Sequence, residues 1–231
     1  MLSRTRAIVL RFAPYKDNAG ILSLYTRDFG RVNLIIYGVG AKKKMLTRAT
    51  LSPMNIIEVD AHFNRTDTMQ RVNTQSVTLV HDMSGQGIAR NAQLIFIAET
   101  LYRLFRHPLA DPHLFGLLEG RIRGMETLDA DWHVRLLIDM MPFVGITPQL
   151  DGKAAMLNMH TGEMNIYTSQ SVEHFTAEET IVLQKLTDGE PVAINRTQRQ
   201  TLLRKLCRYY EIHIDGFVTP LSLDVLQQVF D

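Results

Sequence analysis

The first eighty residues alternate apolar and polar side chains in short runs broken by turn residues, a period of two that predicts strands. Residues 6–12 (RAIVLRF) form the first run and stop before Pro14. Residues 21–25 follow, and Arg27-Asp28-Phe29-Gly30 then leads into residues 31–37, where Val32, Leu34 and Ile36 share one face. Gly30 supplies the positive φ that a tight hairpin needs. Past Gly38-Val39-Gly40 and a basic stretch, residues 53–60 (PMNIIEVD) and 68–79 (TMQRVNTQSVTL) complete five predicted strands. Short strands in that number suit a small closed barrel of the OB type, whose closure removes exposed edges.

Beyond Ser84 the period lengthens to the helical repeat of about 3.6 residues. Ile88, Ala92, Ile95, Ala98, Tyr102 and Phe105 recur down one face, predicting a long helix to Arg106 with a mostly buried stripe. Asp111-Pro112 places a cap and a first-turn proline ahead of Leu114, Phe115, Leu117 and Leu118. Asp129 opens a helix holding Trp132, Leu136, Leu137 and Met140, closed by Pro142 and Gly145. Capping-box spacing recurs at Thr176 with Glu179 and at Asn195 with Gln198, and residues 223–230 predict a last helix. Residues 154–159 and 164–167 flank His160-Thr161-Gly162-Glu163, a two-stranded hairpin among the helices. The expected architecture is α+β: an N-terminal OB-fold β-barrel over residues 1–80, then an all-α helical domain over residues 81–231 with a small β-hairpin insert near 154–167.

Composition narrows the class further. With 45% hydrophobic and 21% charged residues, the 231-residue chain carries enough apolar surface to fold throughout, in two domains of ordinary size. Its one cysteine, Cys207, cannot close an internal disulfide and sits in an apolar-periodic stretch, where an inert buried thiol is expected. Arg4 and Arg6 precede an apolar run too short for a secretory signal, and no stretch approaches bilayer-spanning length, so a cytoplasmic protein with no membrane role is expected. The formal net charge of +1 conceals an asymmetry: residues 1–80 hold 12 Lys or Arg against 5 Asp or Glu, while residues 81–231 hold 13 against 19. The basic half is the candidate polyanion binder.

Its cations are Arg4, Arg6, Arg27, Arg31, Lys42, Lys43, Lys44 and Arg48, drawn from several segments that a barrel can gather onto one wall. If about four of them neutralise phosphates, log affinity falls with log salt at a slope near −2.8 on single strands or −3.6 on duplex. A lysine-rich loop after glycines also serves plain solubility. Six aromatics lie in the same half, most of them expected in core or hairpin packing, and Tyr37 and Phe63 are the candidates for stacking on bases. In the second half Arg196, Gln200, Arg204 and Arg208 lie four apart on one helix face, a candidate seat for an acidic peptide or a phosphate and equally the ordinary wet side of an amphipathic helix. Catalytic and metal signals are weak. The eight histidines are scattered, there is no zincin, phosphate-loop or nucleophile-elbow motif, and one cysteine excludes a four-thiolate zinc site.

Ala7-Ile8-Val9-Leu10, then Tyr15-Lys16-Asp17, Leu22-Ser23-Leu24-Tyr25-Thr26, Gly30, Gly38, the lysine patch and Leu51-x-Pro53 together resemble the start of RecO proteins. The likeness continues in outline through Leu101-Tyr102-Arg103-Leu104 and Phe115-Gly116-Leu117-Leu118. It implies a mediator of DNA repair and homologous recombination that binds single- and double-stranded DNA, promotes strand annealing and assists recombinase loading, without being an enzyme. RecR and the acidic C-terminal tail of single-strand DNA-binding protein are the implied partners, and the face of Arg196, Arg204 and Arg208 is the candidate seat for that tail by its charge. Family members often hold zinc through four cysteines in an insert of the helical half. This chain has none between Leu150 and Phe175, so zinc is not carried over and no cofactor is expected. Met45 and Leu46 stand where the family commonly has a serine after the lysines, which leaves the path of the DNA open. An OB-fold RNA-binding or translation-associated protein is the alternative, separable by dependence on the 2′-hydroxyl. A hydrolase would need a nucleophile, a base and an orienting group that no cluster here supplies.

Overall fold

A computed structural model describes residues 2–16, 19–39, 47–63, 69–73, 76–85, 87–125, 129–151, 155–165 and 172–229. The chain forms two compact units, Met1–Leu128 with Pro220–Val229, and Asp129–Thr219 with Phe230–Asp231.

The first unit is built on one curled sheet of six strands, β1 (Leu2–Lys16), β2 (Ala19–Thr26), β3 (Gly30–Tyr37), β4 (Ile56–His62), β5 (Gln70–Asn73) and β6 (Val77–His81). Their order is β5-β3-β2-β1-β4-β6, antiparallel except for the parallel β3–β5 pair. Among the described residues no ladder joins β5 to β6, so the sheet is a partly open barrel where a closed one was expected. The run expected as one strand over 68–79 is two, which makes six strands of the predicted five. β1 also runs on through Pro14. Its pairing with β4 ends at Ile8, so at Pro14 only the β2 side is laddered, and a register shift there absorbs the missing N–H.

Alternation along the strands sets the interior. Ala7, Val9, Leu22, Leu24, Leu34 and Ile36 meet inside the curl, while Ile8, Leu10 and Tyr25, at intervening positions, are buried as well. Tyr25 stacks on Phe105 and Phe115 at centroid distances of 4.8 and 6.4 Å, and burial pushes its phenol up to about 12. At the β2–β3 turn Gly30 has φ +65°, and a Cβ there would lie 2.3 Å from the Leu109 carbonyl oxygen. Both the backbone conformation and the close approach demand glycine.

Among the described residues three helices complete this unit: α1 (Ile88–Leu104), α2 (Pro112–Arg123) and α6 (Ser222–Val229). Asp111 caps α2 as expected, accepting from the N–H groups of His113 and Leu114 at 2.9 and 3.0 Å. The single buried stripe expected on α1 is not what forms. Leu94, Phe96, Ile97 and Leu101 are buried, whereas Ile88 and Ile95 remain 79% and 48% exposed. Because α1 packs against both β1 and α6, it buries two faces and leaves part of the predicted stripe in solvent.

The second unit holds α3 (Trp132–Val144), β7 (Met156–Asn158), β8 (Met164–Asn165), β9 (His174–Phe175), α4 (Ala177–Thr187) and α5 (Arg196–His213). β7 and β8 form the expected hairpin, and β9, too short to announce itself in the sequence, pairs on the other side of β7. Both expected capping boxes are present, Thr176 with Glu179 and Asn195 with Gln198. Pro142 lies inside the last turn of α3 rather than beyond it, and Gly145 ends the helix in the left-handed conformation. Tyr210 of α5 donates its hydroxyl proton to the Leu137 carbonyl of α3 at 2.6 Å. Cys207 is buried, and desolvation pushes its thiol up to about 12, as befits an inert core cysteine.

Candidate nucleic-acid interface

The structure sorts the eight predicted cations of the basic half into three groups. Arg4, Arg6 and Arg31 are engaged within the fold. Arg4 sits opposite Asp60 in the β1–β4 register and grips it in a two-pronged fork, Nε to Oδ1 at 2.8 Å and Nη2 to Oδ2 at 3.1 Å, with Glu58 at 3.4 Å. The Arg4 hydrogen bond holds the Asp60 carboxyl below its ordinary range. Arg6 reaches Glu119 of α2 at 3.1 Å, a carboxylate that also takes Arg123 at 2.8 Å. Arg31 donates to the Tyr102 and Phe105 carbonyls at 3.1 and 3.0 Å, and its guanidinium lies 4.1 Å from the Tyr102 ring centroid. It caps the C-terminus of α1, where carbonyls lack helical partners and the helix dipole favours a cation.

Arg27 and Arg48 form the second group, exposed and without a carboxylate partner among the described residues. Lys42, Lys43 and Lys44 lie outside the described residues. Arg6 and Arg27 are neighbours, since the Arg27 N–H donates to the Arg6 carbonyl at 3.0 Å. Arg48 is elsewhere, lining a groove with Arg11. The described residues therefore bring Arg4, Arg6 and Arg27 to one end of the sheet and do not gather Arg48 with them.

Of the two aromatics, Tyr37 closes β3 half-buried, and Phe63 stacks on Phe29 with centroids 4.2 Å apart and planes 17° from parallel. One face of Phe63 is thus used by the protein itself. Arg11 and Arg71, absent from the predicted set, are also exposed and without a carboxylate partner among the described residues. The signal for Arg11 was a single cation interrupting an apolar strand, which marks the side facing solvent, whereas Arg71 lies in the polar strand Gln70–Asn73 and carried no such mark.

On α5, Arg196, Arg204 and Arg208 share the exposed face as predicted, opposite buried Leu202, Leu206 and Tyr209. Arg208 is held by Glu173 through a second two-pronged fork at 2.9 and 3.1 Å, with Glu211 at 3.3 Å. Arg204 has no carboxylate partner among the described residues and opens onto a pocket of about 330 Å³ beside Met159, Val172 and His174. No group of three or more His, Cys, Asp or Glu among the described residues is placed to hold a metal, and the donor set does not fit the four-cysteine zinc of the resembled family. Among the described residues no helix is long and apolar enough to cross a membrane.

The family model of the recombination protein O N-terminal domain matches residues 1–80, the span of the curled sheet. Curated relatives align over the whole of both chains: proteins of Bacteroides fragilis at 27% identity, Flavobacterium psychrophilum at 25% and Porphyromonas gingivalis strain W83 at 24%, each named DNA repair protein RecO. Residues 1–80 thus match the RecO N-terminal domain, and the chain is similar over its whole length to RecO proteins. The matched span holds the barrel-type sheet, and the helices follow it, the α+β order expected from the alternation and the helical repeat.

Proposed function

We propose that the chain is a DNA repair and homologous recombination mediator acting in the cytoplasm, binding single- and double-stranded DNA, promoting annealing and assisting recombinase loading without a covalent step. The observation that carries the reading is the set of exposed arginines on the RecO-type sheet unit, Arg27, Arg48 and Arg71, which have no carboxylate partner among the described residues. Cations left uncompensated in this way are available to phosphates, and phosphate contacts carry no base information, so binding is sequence-neutral. Along the chain, Lys42, Lys43 and Lys44 extend the set towards Arg48. Tyr37 and the outer side of Phe63 are the stacking candidates. In the second unit Arg204, with Arg196 and Arg208 on the same face, is assigned the acidic tail of single-strand DNA-binding protein, and RecR is the further partner.

The test is annealing of complementary oligonucleotides coated with single-strand DNA-binding protein. Lys42→Glu/Lys44→Glu slows it while leaving the circular dichroism unchanged. Wild-type annealing by the folded variant removes the reading. For the tail, Arg204→Glu weakens binding of a labelled tail peptide, and unchanged affinity withdraws that assignment.

A further inference from the structure

One carboxylate in the sheet unit serves two guanidinium groups. Glu119 of α2 accepts from Arg6 of β1 at 3.1 and 3.3 Å, and from Arg123, one turn further along α2, at 2.8 and 3.0 Å. The Arg6 and Arg123 side chains stay 47% and 40% exposed, whereas that of Glu119 is 15% exposed. We propose that the Arg6–Arg123 pair is a further seat for the phosphate backbone of a nucleic acid, held shut by Glu119, whose carboxylate stands in for a phosphate. This rests on the nucleic-acid reading of the sheet unit and adds to it a contact and a restraint on affinity.

The stand-in is chemically close. A carboxylate and a phosphodiester each spread a single negative charge over two free oxygens, and guanidinium donates to either in the same forked manner. One acid between two arginines also leaves one positive charge over, so Glu119 masks the pair without cancelling its attraction for a polyanion.

The ion pairs are not what holds α2 in place. Leu114, Phe115, Leu118 and Ile122 are buried along its inner face, and the Phe115 ring stacks on Tyr25. Ion pairs between side chains as exposed as Arg6 and Arg123 contribute little to stability. Their position is informative as well. The Arg27 N–H donates to the Arg6 carbonyl at 3.0 Å, so the pair adjoins an exposed arginine that has no carboxylate partner among the described residues. A nucleic-acid backbone held at Arg27 passes close to it.

Beside the pair the outer face of α2 is bare. His113, Gly116, Gly120 and Arg123 recur three or four residues apart and are all exposed. A Cβ built at Gly116 or Gly120 would meet nothing within 4 Å among the described residues. Glycine inside a helix is less favourable than alanine, and no close packing here calls for it. The two missing side chains leave a backbone-lined lane by which a bulky strand can approach Arg123.

The experiment is the salt dependence of oligo-dT binding by the full chain, read by fluorescence anisotropy, for wild type and Glu119→Gln. Freeing one or both arginines steepens the plot of log affinity against log salt by about 0.7–1.4. Over a fourfold fall in salt the variant therefore gains about threefold to sevenfold in affinity on wild type. Adding Arg6→Gln and Arg123→Gln to Glu119→Gln returns the slope to the wild-type value. The gain is the same in chloride and in inorganic phosphate of equal ionic strength, because the seat takes a strand rather than a free ion. Circular dichroism checks the fold, and Glu119→Ser is read in the same way if the glutamine variant does not fold. Equal slopes for wild type and the folded variant overturn the inference, as does a gain that survives loss of both arginines or that inorganic phosphate abolishes. A wild type that takes up no oligo-dT at low salt removes the nucleic-acid reading itself. A slope flattened by Arg27→Gln/Arg48→Gln but not steepened by Glu119→Gln removes this inference alone.

Discussion

Replacing Arg27 and Arg48 together by glutamine removes two cations that have no carboxylate partner among the described residues, while Arg4→Gln removes one already neutralised by Asp60. Each phosphate of single-stranded DNA that the protein no longer neutralises flattens the plot of log affinity against log salt by about 0.7, so the double variant flattens it by about 1.4. Over a fourfold rise in salt that difference amounts to about sevenfold in affinity: the variant is weaker at low salt and converges on wild type as salt rises. Arg4→Gln leaves the slope unchanged. Anisotropy titration of labelled oligo-dT at four or five salt concentrations reads both slopes, and circular dichroism confirms the fold. Equal slopes for wild type and the double variant, or flattening by Arg4→Gln alone, would show that pairing within the protein does not decide which arginines meet phosphate.

Arg31→Met strips two charge-assisted hydrogen bonds and a cation–π contact from the end of α1, and chemical denaturation should show a loss of about 2–4 kcal/mol. Gly30→Ala places a Cβ against the Leu109 backbone in a left-handed conformation and should cost at least about 1–3 kcal/mol by the same assay. Buried His133, 1% exposed, has its pKa lowered to about 3 by desolvation and by Arg199. The folded state therefore binds fewer protons than the unfolded one between pH 3 and the ordinary histidine value of 6.5. Its contribution is fully present above pH 6.5 and declines as pH falls, by up to about 1.4 kcal/mol per unit. Comparing wild type and His133→Leu from pH 7 to pH 5, the variant should lose this part of the slope whatever its absolute stability; parallel slopes would refute it.

Local pattern alone determined much of this protein. Alternation from Ala7 to Val77 specified a strand-built first unit, because side chains on a pleated strand sort by twos. Asp111-Pro112, Thr176 with Glu179 and Asn195 with Gln198 marked helix starts, because capping is a contact between residues two or three apart. Charge was legible only as a total. Whether a given arginine is available depends on which carboxylate or carbonyl lies beside it, and those partners are far along the chain: Asp60 for Arg4, Glu119 for Arg6 and the end of α1 for Arg31. The same distance hid the groove, since Arg11, Arg48, Ile95 and Leu221 come from four separate stretches and Ile95 had the spacing of a core residue. Periodicity says that a face is apolar. Only the packing of α1 against both β1 and α6 decided which apolar positions were covered and which were left in solvent.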